Sequence, residues 1–494
     1  MKKKLIFFTS ILTLLATLSI EAFAADCTAV TTGASDFFKY FTACPPAYIV
    51  TIISVVLVVL LLIFRKKITS KLNNSTASQM LNGFIVFFSI FGIACFIMAV
   101  ITDGVTWQHL INGTDKIDDN YTQFSHYIQS LQNAGSKRFY KSATTHSPFA
   151  LLIFFLLAQF MPTNYIFSES YVAIISILRN QTFMYMYLIL ILICILFIYK
   201  ISCSKMRTNG IKIKNEVVSF LLVVSYPTMY CISMGDITGF SFALCLFFIE
   251  FYNSEKKVLR ELSIIAIAIS AAIVPYTFVF AFLLLKDKSK ISKLNFAQAS
   301  VFFVALFIFP AIFTGFGNMF TYVKSLLLIS DGFVAGNSSI ANLLRLTGVS
   351  NIIIYIVTAI FEIAGFVCIF ILPSAWQKTA AAVCCILNLL PNVNSLTTLF
   401  VFVPLIYLLS EKTHKAIDWL YLLSFSLLVT PFPEWFYSYS TEFNLMLNEI
   451  GVVNIQNANE IIAPFATQMI LILVVCQSIS TVKSKKAEKH SVKS

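Results

Sequence analysis

The chain has 494 residues, of which 58% are apolar and only 12% charged, with a mean hydropathy of +0.83. Soluble chains of this length carry about twice that charged fraction, so a water-soluble globular domain is excluded. The net charge of +12 does not point to nucleic acid: the basic residues fall in short clusters between apolar runs, the pattern that orients membrane proteins.

Taken in chain order, the sequence opens with Lys2 to Lys4, an apolar stretch from Leu5 to Ile20, and then Ala22, Phe23 and Ala24. This reads as a secretory signal cut after Ala24 or as an uncleaved first helix, and either puts Ala25 outside the cytoplasm. Residues 25–81 form an extra N-terminal segment with one predicted span at 46–64, running inward to Arg65, Lys66 and Lys67. Cys27 and Cys44 lie in its translocated part, where they can close a short disulfide loop. The other nine cysteines lie in or near apolar segments and read as small hydrophobes.

Residues 82–101 run outward and deliver a polar loop, 102–147, that carries Asp103, Asp115, Asp118 and Asp119. Within it, Tyr121, Phe124, Tyr127, Ile128 and Leu131 recur at helical spacing, which predicts an amphipathic helix lying on the outer leaflet. Residues 148–163 are apolar but too short for a span, and they read as interfacial or re-entrant. Residues 182–199 return to the basic stretch Lys200 to Lys214; 215–232 go out, and 237–252 come back to Lys256, Lys257 and Arg260. Residues 262–285 read as a hairpin turning at Pro275 and Tyr276. Segments 298–315, 350–372, 379–390, 396–410, 416–431 and 461–479 then alternate, ending at a Lys-rich tail, 481–494.

The expected architecture is an all-α polytopic bundle of about 11–13 spans, some short or re-entrant. On this topology only eight of the 35 basic residues face out, namely Lys39, Lys116, Lys137, Arg138, Lys141, Arg179, Lys324 and Arg345. That bias places the acidic loop outside and the C-terminus in the cytoplasm. The expected setting is the inner membrane of a bacterium, with the active face periplasmic.

Asp118, Asp119 and Asn120 stand at the start of the amphipathic helix. One reading is a plain helix cap. The other is a general base facing an acceptor hydroxyl, with the second acid orienting the first or binding a divalent metal. Arg345 can pair with a phosphate through its planar fork. It equally fits, like Lys324, Lys137 and Arg138, an interfacial charge reaching toward headgroups. Asp236, after Gly235, reads as a helix end, and His126 and His146 read as loop histidines near the same surface.

The order of these features resembles the polyprenyl-phosphate-dependent glycosyltransferases of the GT-C superfamily, most of all glycosyltransferase family 87. The matching runs are Asp119 to Tyr127, Gly135 to Tyr140, and Ser147-Pro148-Phe149. Further on come Pro227 to Asp236, Ala271 to Tyr276, Asn337 to Ser339 with Arg345-Leu346, and Pro391 to Ser395. They span roughly residues 82–410, inside a catalytic unit taken as 82–480. Val274 stands where the family tends to have Lys, and Gly235-Asp236 replaces Gly-Gln.

The resemblance implies an inverting hexosyl transfer from a polyprenyl-phosphate sugar donor to an extracytoplasmic glycan or glycolipid acceptor. Asp119 or Asp118 would be the base, and Arg345, Lys324, His126, Tyr127, His146, Asp236 and Asn337 would bind substrate. No cofactor is implied, a divalent metal being the open case. The expected partners are donor, acceptor and membrane lipid, with no nucleic acid. The competing readings are a lipid-linked saccharide transporter or flippase, for which Glu362 is the clear mid-helix acid, a polysaccharide polymerase or ligase, and a membrane assembly protein.

Overall fold

The computed structural model describes residues 74–101, five residues between 127 and 134, and residues 146–159, 181–286, 290–327, 339–345, 349–389, 395–430, 445–446, 452–453 and 458–491. The signal-like stretch, the span expected at 46–64, Cys27, Cys44 and most of the acidic loop lie outside these residues.

The apolar runs are helices, as backbone in hydrocarbon requires. In chain order they are α1 (Ala77–Ile101), α2 (Pro148–Ala158), α3 (Gln181–Met206), α4 (Lys212–Val223), α5 (Tyr226–Met234), α6 (Thr238–Phe251) and α7 (Lys257–Ile273). A 3₁₀ segment, Pro275–Lys286, leads to α8 (Lys290–Ile308), α9 (Ala311–Thr314), α10 (Phe316–Leu327), α11 (Ile340–Arg345), α12 (Asn351–Ile371) and α13 (Ala375–Leu389). A second 3₁₀ segment, Ser395–Val401, precedes α14 (Phe402–Ser410), α15 (Ala416–Val429) and α16 (Ala458–Ser491). The described strands are two-residue pieces; β1 (Ser75–Thr76) pairs antiparallel with β2 (Thr413–His414).

Among the described residues five spans are long and apolar enough to cross a membrane: Ala77–Ala94, Tyr187–Met206, Lys290–Thr314, Asn351–Ile371 and Ile462–Ser484. Lys212–Val223 with Tyr226–Ile232 makes a sixth if the 45° bend between them lies inside one span. The chain is a helical membrane protein. Coverage differs sharply among the spans: 17% of the apolar window in Lys290–Thr314 and 22% of that in Asn351–Ile371 is buried, against 50% in Ile462–Ser484. On α12, Ile352, Ile356, Ile360 and Ile363 form an exposed stripe. In water such a stripe would be an aggregation liability; against lipid tails it has no cost. These helices form the perimeter, and the tight core is aromatic. Phe242 of α6 packs edge-on at 5.6 Å against Phe400 and 5.7 Å against Phe402, and Phe400 also meets Tyr276 at 5.8 Å.

Pro227 and Pro275 each stand at a break in the helical run, where proline supplies no N–H donor. Residues 215–232, expected as one span, divide between α4 and α5. Pro227 enters the first turn of α5, and Ser225 Oγ and Thr228 Oγ1 donate to Leu222 O at 2.6 and 2.9 Å. At Pro275 the α-helix gives way to the 3₁₀ segment, and Thr277 Oγ1 donates to Val274 O at 2.9 Å. The chain turns back there. Gln298 Nε2 of α8 donates to Glu261 Oε2 of α7 at 3.0 Å, a contact out of reach if α7 and the 3₁₀ segment ran on in line for about 1.5 and 2.0 Å per residue.

Helix ends that the charge pattern assigns to one side meet at one end of the bundle. β1 pairs with β2, Lys214 Nζ donates to Ser78 Oγ at 2.6 Å, and Asn209 Nδ2 donates to Leu409 O at 3.1 Å. This end carries Lys205, Arg207, Lys212, Lys412 and Lys415. It is held by close packing as well: a Cβ at Gly83 of α1 would sit 2.7 Å from Trp419 Cζ3 of α15.

Candidate functional site

At the other end of the bundle, α5 stops at Gly235, whose left-handed φ of 66° lets the chain turn without a Cβ clash. Gly235 N donates to Ile232 O and Asp236 N to Cys231 O, both at 3.2 Å. Asp236 lies in the turn between the two helices, one residue before Ile237 at the N-terminal cap position of α6. Its Oδ1 accepts from Thr238 N at 2.7 Å, and a carboxylate beside the first free amides of α6 is favoured by the helix dipole. The side chain is buried, at 5% exposure.

Tyrosines surround this turn. Tyr187 of α3 donates its hydroxyl to Ile232 O at 2.9 Å. Its ring lies 5.0 Å from Tyr127, which also meets Phe154 of α2 edge-on at 6.2 Å. His146 sits 5.3 Å from the same Phe154. Tyr276 and Tyr187 are within electrostatic range of Asp236, and Tyr322 of α10 is within that range of Tyr276. Burial pushes the Tyr127 phenol up to about 12, as expected for an acid whose charged form would be desolvated.

The end of the acidic loop is clasped onto the same place. Ser147 Oγ donates to Ala272 O at 2.6 Å and accepts from Ala150 N at 3.2 Å, so one hydroxyl both caps α2 and ties it to the Pro275 break. Beneath it, Ser270 Oγ lies 2.9 Å from Ser241 Oγ of α6 and 3.0 Å from Thr277 Oγ1. These hydroxyls occupy the backbone groups that the helix break releases.

A second polar group is built on α11, α13 and α16. Asn388 Oδ1 accepts from Ile340 N and from Gln468 Nε2, each at 3.0 Å, while its Nδ2 donates to Cys384 O at 2.9 Å. Ser339 Oγ accepts from Asn342 N at 3.3 Å. Arg345 is buried in the last turn of α11, where a cation faces the free carbonyls favourably.

The structure thus gathers Tyr127, His146 and Asp236 and sets Arg345 on a separate polar group. Asp118, Asp119, His126 and Asn337 lie outside the described residues, and Lys324 is described only as part of helix α10. One expectation is corrected: the helical residues Tyr127 and Leu131 are buried in the protein core, not laid on a lipid surface. Packing against α2 and α3 outcompetes the interface for that aromatic face. Residues 148–163 contain the helix α2, whose Pro148, Ala150, Leu151, Phe154 and Ala158 are buried. Tyr276 is marked in the sequence only as a turn, within the run Ala271 to Tyr276, and Tyr187, Asn388 and Gln468 are not marked there at all. Asn388 was findable, as an amide inside an apolar run; Tyr187 looked like any interfacial aromatic.

Comparison with known protein families, characterised proteins and solved structures finds no match.

Among the described residues no three His, Cys, Asp or Glu side chains stand close enough to hold a metal ion.

Proposed function

We propose that the chain is an integral-membrane glycosyltransferase with its site at the bundle end opposite the basic cluster. It moves a sugar from a polyprenyl-phosphate donor to a glycan or glycolipid acceptor. Asp119 or Asp118 takes the proton of an acceptor hydroxyl, that oxygen attacks the anomeric carbon, and the polyprenyl phosphate departs with the bonding electrons. Arg345 and Lys324 offer positive charge to the leaving phosphate, the kind of term that commonly dominates catalysis. In this reading the bundle has about 11–13 spans, the basic end is cytoplasmic, and the perimeter helices supply a hydrocarbon face for the donor's tail.

One observation carries the reading. Motifs far apart in sequence, namely the loop exit at Ser147, the turn at Asp236 and the break at Pro275, converge, with Ser147 bonded to Ala272 and Asp236 within electrostatic range of Tyr276. A buried carboxylate, tyrosines and hydroxyls at the point where a four-Asp loop re-enters the bundle suit chemistry on a substrate that is lipid at one end and sugar at the other.

The test is Asp118→Asn and Asp119→Asn, each with membrane insertion checked. Removing a general base lowers turnover about 10²–10⁴-fold, so one variant should lose the cell-surface glycan while still inserting. Unchanged glycans in both variants would rule the site out.

The transporter reading rests on a different residue. Glu362 lies within the span Asn351–Ile371, and its Oε1 has no hydrogen-bond partner among the described residues. Glu362→Gln should abolish activity if the chain moves a substrate across the bilayer, and leave glycan transfer intact if it does not.

A further inference from the structure

We infer a second binding site, at the basic end, for the phosphate of an anionic lipid headgroup. It is separate from the site above and does not depend on the reading of that site. Between the end of α3 and the start of α4 lies a cleft of about 420 Å³ lined by Leu196, Tyr199, Lys200, Arg207, Lys212 and Glu216. Its floor is built: Asn215 Nδ2 donates to Met206 O at 2.8 Å and to Asn209 Oδ1 at 3.0 Å, locking the turn that separates the two helices.

The charges around the cleft are unevenly committed. Lys205, one turn from Lys200, points inward, pairs with Glu250 at 3.2 Å and lies over the Tyr407 ring at 4.7 Å. Lys214 is hydrogen-bonded to Ser78. Lys200, Arg207 and Lys212 are exposed, and among the described residues none of them makes an ion pair. Three cations therefore face a cleft with one carboxylate, Glu216. Such a surplus attracts an anion, and the Arg207 fork suits phosphate oxygens.

The cleft wall identifies the source of that phosphate. Leu196 lines it and is exposed, and Leu192 and Ile193 a turn away are exposed on the same apolar span. A headgroup seated among the cations leaves its acyl chains lying along α3, in the layer where hydrocarbon begins. Free phosphate gains only the charged half of this arrangement. Basic pockets at the ends of membrane helices commonly hold anionic headgroups in this way.

The test uses the purified full chain in a zwitterionic detergent, with bound lipid counted by native mass spectrometry. Phosphatidylglycerol, phosphatidylcholine and inorganic phosphate are the probes. Each cation near an anionic lipid contributes about fivefold. Joint substitution of Lys200→Gln, Arg207→Gln and Lys212→Gln should weaken phosphatidylglycerol binding roughly 100-fold. The pair Lys256→Gln and Lys257→Gln, exposed but not lining the cleft, should leave it unchanged. Glu216→Gln removes the one opposing charge and should tighten binding about fivefold, a gain that misfolding cannot imitate. The inference is overturned if the triple variant binds like wild type, or if Glu216→Gln weakens binding. Inorganic phosphate binding as tightly as phosphatidylglycerol would overturn the lipid as the source.

Discussion

Ser147→Ala isolates how the acidic loop is fastened to the bundle. The wild-type hydroxyl makes two bonds, accepting from Ala150 N at 3.2 Å and donating to Ala272 O at 2.6 Å, and the side chain is 1% exposed. Losing the cap costs about 0.5–2 kcal/mol. Leaving a buried carbonyl without its donor costs about 1–3 kcal/mol. Together Ser147→Ala should destabilise by about 1.5–5 kcal/mol. Ser147→Gly separates the two parts, because glycine at a cap position loses only a few tenths of a kcal/mol; its remaining deficit measures the clasp to Ala272. Ser147→Thr keeps the hydroxyl in the same extended backbone and should stay near wild type. Heat unfolding of a polytopic chain is commonly irreversible, so the four proteins belong in one detergent at one heating rate, with inactivation half-lives compared at one temperature. The reasoning is refuted if Ser147→Ala and Ser147→Gly both match wild type to within about 0.5 kcal/mol, the range of an inert surface change.

Asp236→Asn retains an oxygen for Thr238 N and should fold normally, whereas Asp236→Ala leaves that amide without its acceptor and should lose about 1–3 kcal/mol; equal melting of the two would show that this hydrogen bond contributes nothing. Tyr127 has its folded phenol raised from 10 to about 12, so the stability it lends is complete below pH 10 and is lost as pH rises toward 12. Tyr127→Phe should flatten the alkaline fall in stability by about 1.4 kcal/mol per pH unit across that window, read from denaturation at pH 9 and pH 11. Gly83→Val forces a branched side chain into Trp419, whose Cζ3 would be 2.7 Å from the new Cβ. Overpacking of this kind costs about 1–3 kcal/mol, and combining it with Trp419→Ala should relieve the strain in a melting assay.

Much of the architecture was readable because a bilayer leaves few choices. An apolar run of 17 or more residues has to be a helix there, and Asn351–Ile371 and Ile462–Ser484 fall where hydropathy puts them. Basic clusters mark shared ends, and β1 with β2, Lys214 with Ser78, and Asn209 with Leu409 do meet at one. The division of 215–232 was less legible. Proline at 227 stands in the first turn of α5, a position allowed both at a fresh helix start and inside a kinked membrane helix, so sequence alone does not choose. The burial of Tyr127 and Leu131 is hidden from the sequence for a related reason. An apolar stripe does not say whether lipid or protein covers it, and only the position of α2 and α3 decides. The site followed the same rule: Asp236 was visible as an acid beside a glycine, but its helix of action depended on φ at Gly235.

Two acids, Asp236 buried and Glu362 partly buried, divide the functional alternatives, and their surroundings differ in kind. Asp236 lies just before a helix, with Oδ1 taken by Thr238 N and the phenol-bearing Tyr187 and Tyr276 about it. Its carboxylate is thereby held in place at the turn between α5 and α6. Glu362 lies within a span, beside the thiol of Cys385, with an oxygen that no described group satisfies. An acid placed that way in a membrane is costly and needs a reason. Cys385 Sγ packs against Gly365 at 3.0 Å from its ideal Cβ position, so α12 and α13 are in close contact beside the carboxylate. A transporter needs its central acid on a path that opens to each side in turn; helices locked this closely resist that motion. The close contact of α12 and α13 at Gly365 and Cys385 thus weighs against the transporter reading of Glu362.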